Sequence, residues 1–179
     1  MLLEENLVRS CGVPRNSEIS KHLAGAQLFD AFELPIPADE RSALEIYIDI
    51  MAQTPDWVNC LMAARNRAVA LFGLKNLGQL GNVDPSRKPE SYQVGDRIGI
   101  FSILFLSERE VILIESDKHL DAKVSLCKTA IGHTNSAVMT TVIHVHNILG
   151  RAYILLVWPV HKLIVPSLLA HHIRTRHPD

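Results

Sequence analysis

The feature that most constrains the fold of this chain is a succession of five β-like runs in its second half. The runs are RIGIFSILFL, EVILIES, AKVSLCK, SAVMTTVIHVHN and RAYILLVW. Short polar or glycine-bearing connections separate them at residues 107–109, 116–120, 129–135 and 148–150. Consecutive strands with loops of hairpin length are antiparallel, because a parallel pair needs a long crossover. The second half of the chain therefore predicts an antiparallel meander.

A further strand and two helices precede the meander. Leu28, Phe32 and Leu34 lie on one side of an extended run. Prolines end this run, which predicts a strand at or near a sheet edge. Asp39 is the expected N-cap of the first helix, and Thr54 before a proline is the start signal of the second. The apolar stripes of these helices are Leu44, Tyr47, Ile48 and Met51, then Trp57, Leu61, Ala64, Ala68, Leu71 and Phe72.

The chain ends in a third helical pattern, in which Pro166 predicts a kink or a break. A sheet with one apolar face must cover it, and this last helix is the obvious cover. The order of elements predicts an α+β fold with an antiparallel sheet of about six to seven strands in a helix-grip-like arrangement. SYQVGD is the candidate for the seventh strand, and another α+β sandwich is the alternative. We expect an N-terminal arm at residues 1–25 and a single domain at residues 26–179.

Charge and cysteine content exclude several classes of protein. The 18 basic and 19 acidic residues leave a formal charge of −1, so no global field favours nucleic acid. Cys11, Cys60 and Cys127 are widely spaced and include no C-x-x-C, which argues against a disulfide framework or a zinc ribbon. The N-terminus turns acidic at once, unlike a signal peptide. We therefore expect a cytoplasmic protein.

One apolar stretch, residues 152–170, has about the length of a bilayer span. His161 and Lys162 fall at its centre, where a charged lysine costs roughly 2.5 to 3.5 kcal/mol on insertion scales. Pro159 and Pro166 also interrupt it. We interpret the stretch as a buried strand followed by a helix, and expect no membrane span.

Four blocks of sequence carry a resemblance to a known family. They are FDAFELPIPA, TPDWVNCLMAARNRAVALFGLKNLG, YQVGDRIGIFSILFLSEREVILIESDKHLDAKVSL and TTVIHVHNILGRAYILLVWPVHKLIVP. In this order they resemble the bacterial family DUF2867, a domain of unknown function, over about residues 28–168. The resemblance implies a helix-grip fold, similar to START-like and SRPBCC-like proteins, and for some members a place at the C-terminus of oxidoreductase-like polypeptides. It implies no activity, cofactor or catalytic residue, and the chain has no G-x-G-x-x-G after a strand.

His144 and His146 are two apart on a predicted strand, so their side chains share one face. A zinc site needs at least a third ligand, and no H-E-x-x-H or C-x-x-C supplies one, so we predict no metal. The residues on the opposite face of this strand are more apolar: Met139, Thr141, Ile143 and Val145. The apolar face should pack on the last helix, so we expect the histidines to face away from it. The predicted turn at residues 148–150, with Gly150 at positive φ, would complete a hairpin.

Three further residues are candidates for contact with a ligand. Arg151 beside the predicted turn can bind an anion, although turn formation by Asn147 explains its surroundings as well. His161 lies near the start of the predicted last helix, where it lines a cavity mouth or packs among apolar neighbours. Trp158 is a candidate because some aromatic residues of such a fold would line a cavity between the sheet and the last helix. The candidate ligand-binding residues are therefore His161, His144, His146, Arg151 and Trp158.

The sequence leaves three functional hypotheses. The first is a domain that binds an apolar or amphipathic small molecule in a cavity beneath residues 160–170, and it rests on fold analogy. The second is an enzyme of cyclase, hydratase or hydrolase type, which requires His144, His146 or His161 to point into a cavity near a second polar group. The third is a non-catalytic interaction module that partners an oxidoreductase or forms a homodimer. No cofactor is predicted for any of them.

Overall fold

The structure is a computed structural model, and it describes residues 7–38, 41–70, 83–131 and 134–176. It is an α+β fold in which the described strands form one antiparallel sheet of seven, with the order β1-β2-β7-β6-β5-β4-β3. The strands are β1 (Arg9–Ser10), β2 (Leu28–Pro35), β3 (Arg97–Ile98), β4 (Phe101–Leu106), β5 (Glu110–Ser116), β6 (Leu120–Ile131) and β7 (Thr134–Val145). The helices are α1 (Ala43–Ala52), α2 (Asp56–Ala70) and α3 (Ile148–Arg176). The predicted fold class is confirmed, and the C-terminal helix is consistent with a helix-grip-like arrangement.

The meander is confirmed from β4 to β7, and the first strand joins its far end. β2 pairs with β7 in an antiparallel register that runs from Leu28 opposite Ile143 to Pro35 opposite Ser136. Among the described residues, only the two of β1 lie outside β2, so the prediction of a strand near an edge is confirmed. The run predicted as one strand at residues 97–106 is instead the short hairpin of β3 and β4. Gly99, at a φ of 57°, lies in its turn, and SYQVGD forms no strand.

Both predicted helices after β2 are present. Ser42 caps α1 through a capping box, in which its hydroxyl accepts from the Glu45 amide at 3.2 Å and its amide donates to the Glu45 carboxylate at 2.7 Å. The predicted cap, Asp39, lies outside the described residues. In α2 the predicted stripe is partly wrong, because Trp57 is exposed while Val58 is fully buried. Leu71 and Phe72 lie outside the described residues.

The predicted hairpin at residues 148–158 is wrong, because this segment is the first part of α3. Asn147 starts the helix rather than a β-turn, since its side-chain oxygen accepts from the Gly150 amide at 3.0 Å. RAYILLVW is apolar at both parities, so its pattern fits a buried strand and a helix equally. The helix then runs without a break through Pro159 and Pro166 to Arg176.

The predicted positive φ of Gly150 is wrong, and glycine is needed there because the backbone makes a close contact. A Cβ atom at this position would lie 2.2 Å from the backbone oxygen of His119 and 2.9 Å from Cγ1 of Val145. The first turn of α3 therefore rests directly on the connection between β5 and β6. This contact fixes the position of the helix start against the sheet.

The helices cover one face of the sheet and form the main core with it. Apolar side chains of α1 and α3 meet those of the central strands there. Fully buried members of this core include Tyr47, Ile50, Ile103, Leu113, Leu126 and Leu169. The face of the sheet that carries the site is therefore the one under α3.

The N-terminal arm covers the opposite face. Ile19, in a short 3-10 turn at Ile19–His22, packs on Ile112 and Val142. The buried carboxylate of Glu110 accepts from the Glu18 amide at 2.5 Å and from the Ile19 amide at 3.0 Å. A buried carboxylate with several donors is a strong local anchor. The segment predicted as a plain arm is thus fixed to the back of the sheet.

Replacing Gly150 with alanine should destabilise the protein by about 2 kcal/mol, as overpacking does. The reason is the 2.2 Å approach to the His119 carbonyl, which is backbone and cannot turn aside. In an unhindered helix the same change would be stabilising. Gly12→Ala is the matched control, because a Cβ there meets nothing within 4 Å. Urea unfolding that shows G150A as stable as the wild type would contradict this interpretation.

His172 should make stability depend on pH. Burial, with the charge of Arg176 as a smaller cause, lowers the pKa of His172 from 6.5 to about 4. Between pH 6.5 and pH 4, His172 is therefore protonated in the unfolded chain and neutral in the folded protein. The free energy of unfolding falls as the pH falls through this range. Its Nδ1 lies 3.2 Å from Oε1 of Gln53, a contact that glutamine can keep.

Between pH 7 and pH 4.5 the free energy of unfolding should fall in both proteins. We expect this fall to be smaller in His172→Gln than in the wild type, by on the order of 2 kcal/mol. Urea unfolding at these two pH values measures the difference. Parallel pH profiles for the two proteins would show that His172 contributes nothing.

Candidate functional site

A cavity of about 440 Å³ lies between the sheet, α2 and α3. Its walls are almost entirely apolar. From the helices they include Tyr47, Met51, Leu61, Met62, Leu156, Val157, Val160, Ile164, Val165 and Leu168, and from the sheet side Ile100, Phe101, Val124, Met139 and Thr141. The prediction of a cavity beneath residues 160–170 is confirmed.

The parity of β7 determines which of its side chains reach the cavity. Met139 and Thr141 line it, whereas Val142 packs on the opposite face with the arm. Side chains two apart share a face, so His144 and His146 belong to the face of Val142. The prediction that the two histidines face away from the last helix is confirmed.

Neither of these histidines lies in the cavity wall. Nε2 of His144 is 3.2 Å from the carbonyl oxygen of Ala24 in the arm, and the residue is half-buried. His146 is exposed, with Nε2 3.3 Å from Oδ2 of Asp121. Across the described ranges, no three histidine, cysteine or acidic side chains are grouped so that they could hold a metal ion.

The other candidates divide between the cavity and its surroundings. Arg151 is exposed on the first turns of α3 and does not line the cavity. His161 does line it. Trp158 lies outside the wall but stacks on the ring of His161, with centroids 5.0 Å apart and planes at 11°. Lys162 lies over the other ring of this pair, 5.7 Å from the Trp158 centroid. Of the five predicted residues, His161 lines the cavity, and Trp158 holds the His161 ring in place.

His161 has an acidic partner that the sequence reasoning missed. Nε2 of His161 lies 3.3 Å from Oδ2 of Asp30 and 3.4 Å from Oδ1. Asp30 lies on β2, opposite Thr141, and its side chain is only 12% exposed. Asp30 and Phe32 are two apart on β2, so both side chains lie on the face of the sheet that α3 covers. A single acid in an apolar strand face was the available signal.

A second pair of polar side chains lines the cavity, and the sequence reasoning missed it as well. Nε of Arg65 on α2 donates to the Tyr153 hydroxyl on α3 at 3.0 Å, and its guanidinium lies 5.3 Å from that ring's centroid. A second guanidinium nitrogen donates to Asn66 Oδ1 at 2.9 Å. Arg65 follows Leu61 by four residues, so it shares the apolar face of α2. An arginine at that spacing was the signal.

The outer face of α3 is apolar and exposed. Ile148, Leu155 and Leu163 on this face are 83%, 76% and 66% exposed, and Leu156, which also lines the cavity, is 73% exposed. By length and composition alone α3 is a helix that could cross a membrane, and 17% of its most apolar window is buried. Core helices of soluble proteins and signal sequences pass the same test, so this is weak support for a span. Self-association and a cytoplasmic location both stay predictions.

Comparison with known proteins gives one result. The model of a family described as protein of unknown function (DUF2867) matches residues 22–168. No curated protein and no solved structure matches the chain. The matched range runs from the end of the arm to Leu168 in α3 and includes every described residue that lines the cavity. The chain belongs to the DUF2867 family.

Proposed function

We propose that this protein binds an apolar or amphipathic small molecule in the cavity between the sheet and α3. The observation that carries the proposal is the cavity itself, whose volume of about 440 Å³ falls in the range of ligand pockets. Its wall combines a large apolar area with a few polar groups, which is the usual composition of such pockets. The polar or ionisable groups are Tyr47, Arg65, Thr141, Tyr153 and His161.

Burial of apolar surface would supply the affinity. A ligand that buries about 300 Å² of apolar surface gains about 7.5 kcal/mol at roughly 25 cal/mol per Å². Association costs at least about 4 kcal/mol of this in lost freedom of motion. A flexible, purely apolar molecule would therefore bind weakly, and useful affinity requires the polar groups of the wall to contribute.

Filling the cavity should abolish binding. Val157→Phe places a larger side chain in the cavity wall, and Leu163→Phe is the matched control on the exposed face of the same helix. We expect 1-decanol to bind the wild type and L163F alike in isothermal titration calorimetry, and V157F at least tenfold more weakly. Native mass spectrometry of the purified protein would show any small molecule already retained.

Equal affinity of the wild type and V157F would place the binding elsewhere. A wild type that neither retains a small molecule nor binds 1-decanol would contradict the proposal.

A second candidate function, catalysis by His161, is favoured by its contact with Asp30. A carboxylate that accepts from one ring nitrogen of a histidine fixes the tautomer and leaves the other nitrogen to accept a proton. Here Nε2 would donate to Asp30, and Nδ1 would serve as a general base. The stacked ring of Trp158 holds the imidazole plane in place. The enzyme hypothesis requires a histidine at a cavity near a second polar group. His161 beside Asp30 is such a histidine.

This candidate predicts turnover that depends on His161. We would screen p-nitrophenyl esters and unsaturated acids of varied chain length for hydrolysis and hydration. His161→Asn should reduce the rate by roughly 100-fold or more, the usual contribution of a general base, and leave 1-decanol binding intact. His144→Asn, at the opposite face of the sheet, is the control and should keep the wild-type rate. An unchanged rate in H161N, or no turnover of any compound, would count against catalysis.

A further inference from the structure

We infer that the ligand of the cavity carries an anionic head group, a carboxylate, which Arg65 and Tyr153 bind at the cavity mouth. The apolar body of the ligand then lies along α3 toward Leu168. This inference rests on the proposed function, and it adds the chemical class of the ligand and its direction in the cavity.

The charge of the wall is the first observation. Among the described residues that line the cavity, Arg65 carries a full positive charge and none is a carboxylate. Asp30, the acid in contact with His161, is not part of the wall. An anion that enters the cavity therefore meets a cation, and no carboxylate, among the described residues of the wall. An ammonium group would meet Arg65 instead, which opposes it.

The geometry of the Arg65–Tyr153 pair is the second observation. The Tyr153 hydroxyl oxygen accepts from Nε of Arg65 at 3.0 Å, so its own O–H is directed to another acceptor. The guanidinium is a planar fork of donors that matches a carboxylate, and its contacts with Tyr153 and Asn66 fix that plane. The two side chains come from different helices and together present donors, which is what a carboxylate requires.

The exposure of the wall residues indicates which end of the cavity holds the head group of the ligand. Near Tyr153 the wall is formed by Leu61, Ala64 and Leu156, all of which are exposed, so this end is the mouth. At the other end Leu168 is buried. A charged head at the open end keeps part of its hydration, whereas at the closed end it would lose all of it. The apolar part gains most where the wall is buried.

The helix also sets a scale for the ligand. Tyr153 and His161 are eight residues apart on α3, which is about 12 Å along the axis at 1.5 Å per residue. Both line the cavity. A carboxylate at Tyr153 therefore places atoms about 12 Å along an extended chain beside His161. Medium-chain carboxylates and compact aromatic or alicyclic acids satisfy this distance, and very small anions do not.

The test compares three probes that share one chain: decanoate, 1-decanol and decylammonium. Binding to the wild type is measured by isothermal titration calorimetry at neutral pH, below the concentration at which the probes aggregate. We expect decanoate to bind roughly tenfold to a hundredfold more tightly than 1-decanol, the range for charge-assisted hydrogen bonds. Decylammonium should bind more weakly than either.

Variants assign the preference to Arg65. Arg65→Gln should bind decanoate no better than 1-decanol, and its unchanged affinity for 1-decanol would show that the cavity is still folded. Tyr153→Phe should lose part of the preference. Arg65→Lys should retain part of it, because a point charge replaces the fork. Arg151→Gln removes an exposed arginine two residues from Tyr153, and should behave as the wild type.

The outcomes separate this inference from the proposed function. Equal binding of decanoate and 1-decanol, tighter binding of decylammonium, or a preference for decanoate that survives in R65Q would overturn the head-group assignment while leaving the cavity as a binding site. Failure of all three probes to bind, with no small molecule retained by the purified protein, would overturn the proposed function, and the head-group assignment with it.

Discussion

The pairing of β2 with β7 is the contact on which the rest of the structure depends. It joins segments about 100 residues apart in the chain, and eight residue pairs define its register. A slip of one residue would send every side chain of β2 to the other face. In the observed register Asp30 lies opposite Thr141, which lines the cavity, and its carboxylate reaches His161 on α3. The polar contact at the cavity is therefore a product of strand register.

The sheet separates two polar systems that have different uses. On the arm side, Glu110 holds the 3-10 turn through backbone amides, and the Ser125 hydroxyl donates to the same carboxylate at 2.7 Å. The two amide bonds attach the arm, and the Ser125 bond holds the carboxylate in place on the sheet. On the α3 side, polar groups are few and stand at the edge of a space that side chains leave open. Only this second arrangement has room for another molecule.

Much of this architecture could be predicted from local pattern. The strands and the connection at residues 107–109 follow from alternation and turn residues, and the face of His144 follows from the parity of β7. The segment after Asn147 could not be assigned in this way, since it is apolar at both parities. What decides it is a tertiary contact: the backbone of Gly150 lies against the carbonyl of His119. Asparagine and glycine there indicated a hairpin, yet the same two residues start a helix.

The two missed polar residues have a related explanation. Asp30 and Arg65 each interrupt an apolar pattern, which the sequence shows plainly. Their importance depends on partners more than 80 residues away, His161 and Tyr153, and on the packing of α2 and α3 that brings them near. Pattern alone marks such a residue as an exception to a core face. It cannot say which other exception it meets.

The two prolines inside α3 have a mechanical consequence. Proline has no amide hydrogen, so the backbone hydrogen-bond ladder of the helix lacks rungs at Pro159 and Pro166. Both positions fall between the anchored ends of the helix, Gly150 against His119 at one end and His172 against Gln53 at the other. The span between the anchors is the one that roofs the cavity. The middle of α3 is thus held at both ends and has fewer backbone hydrogen bonds than a helix without proline, so it is the part of the helix that bends most easily.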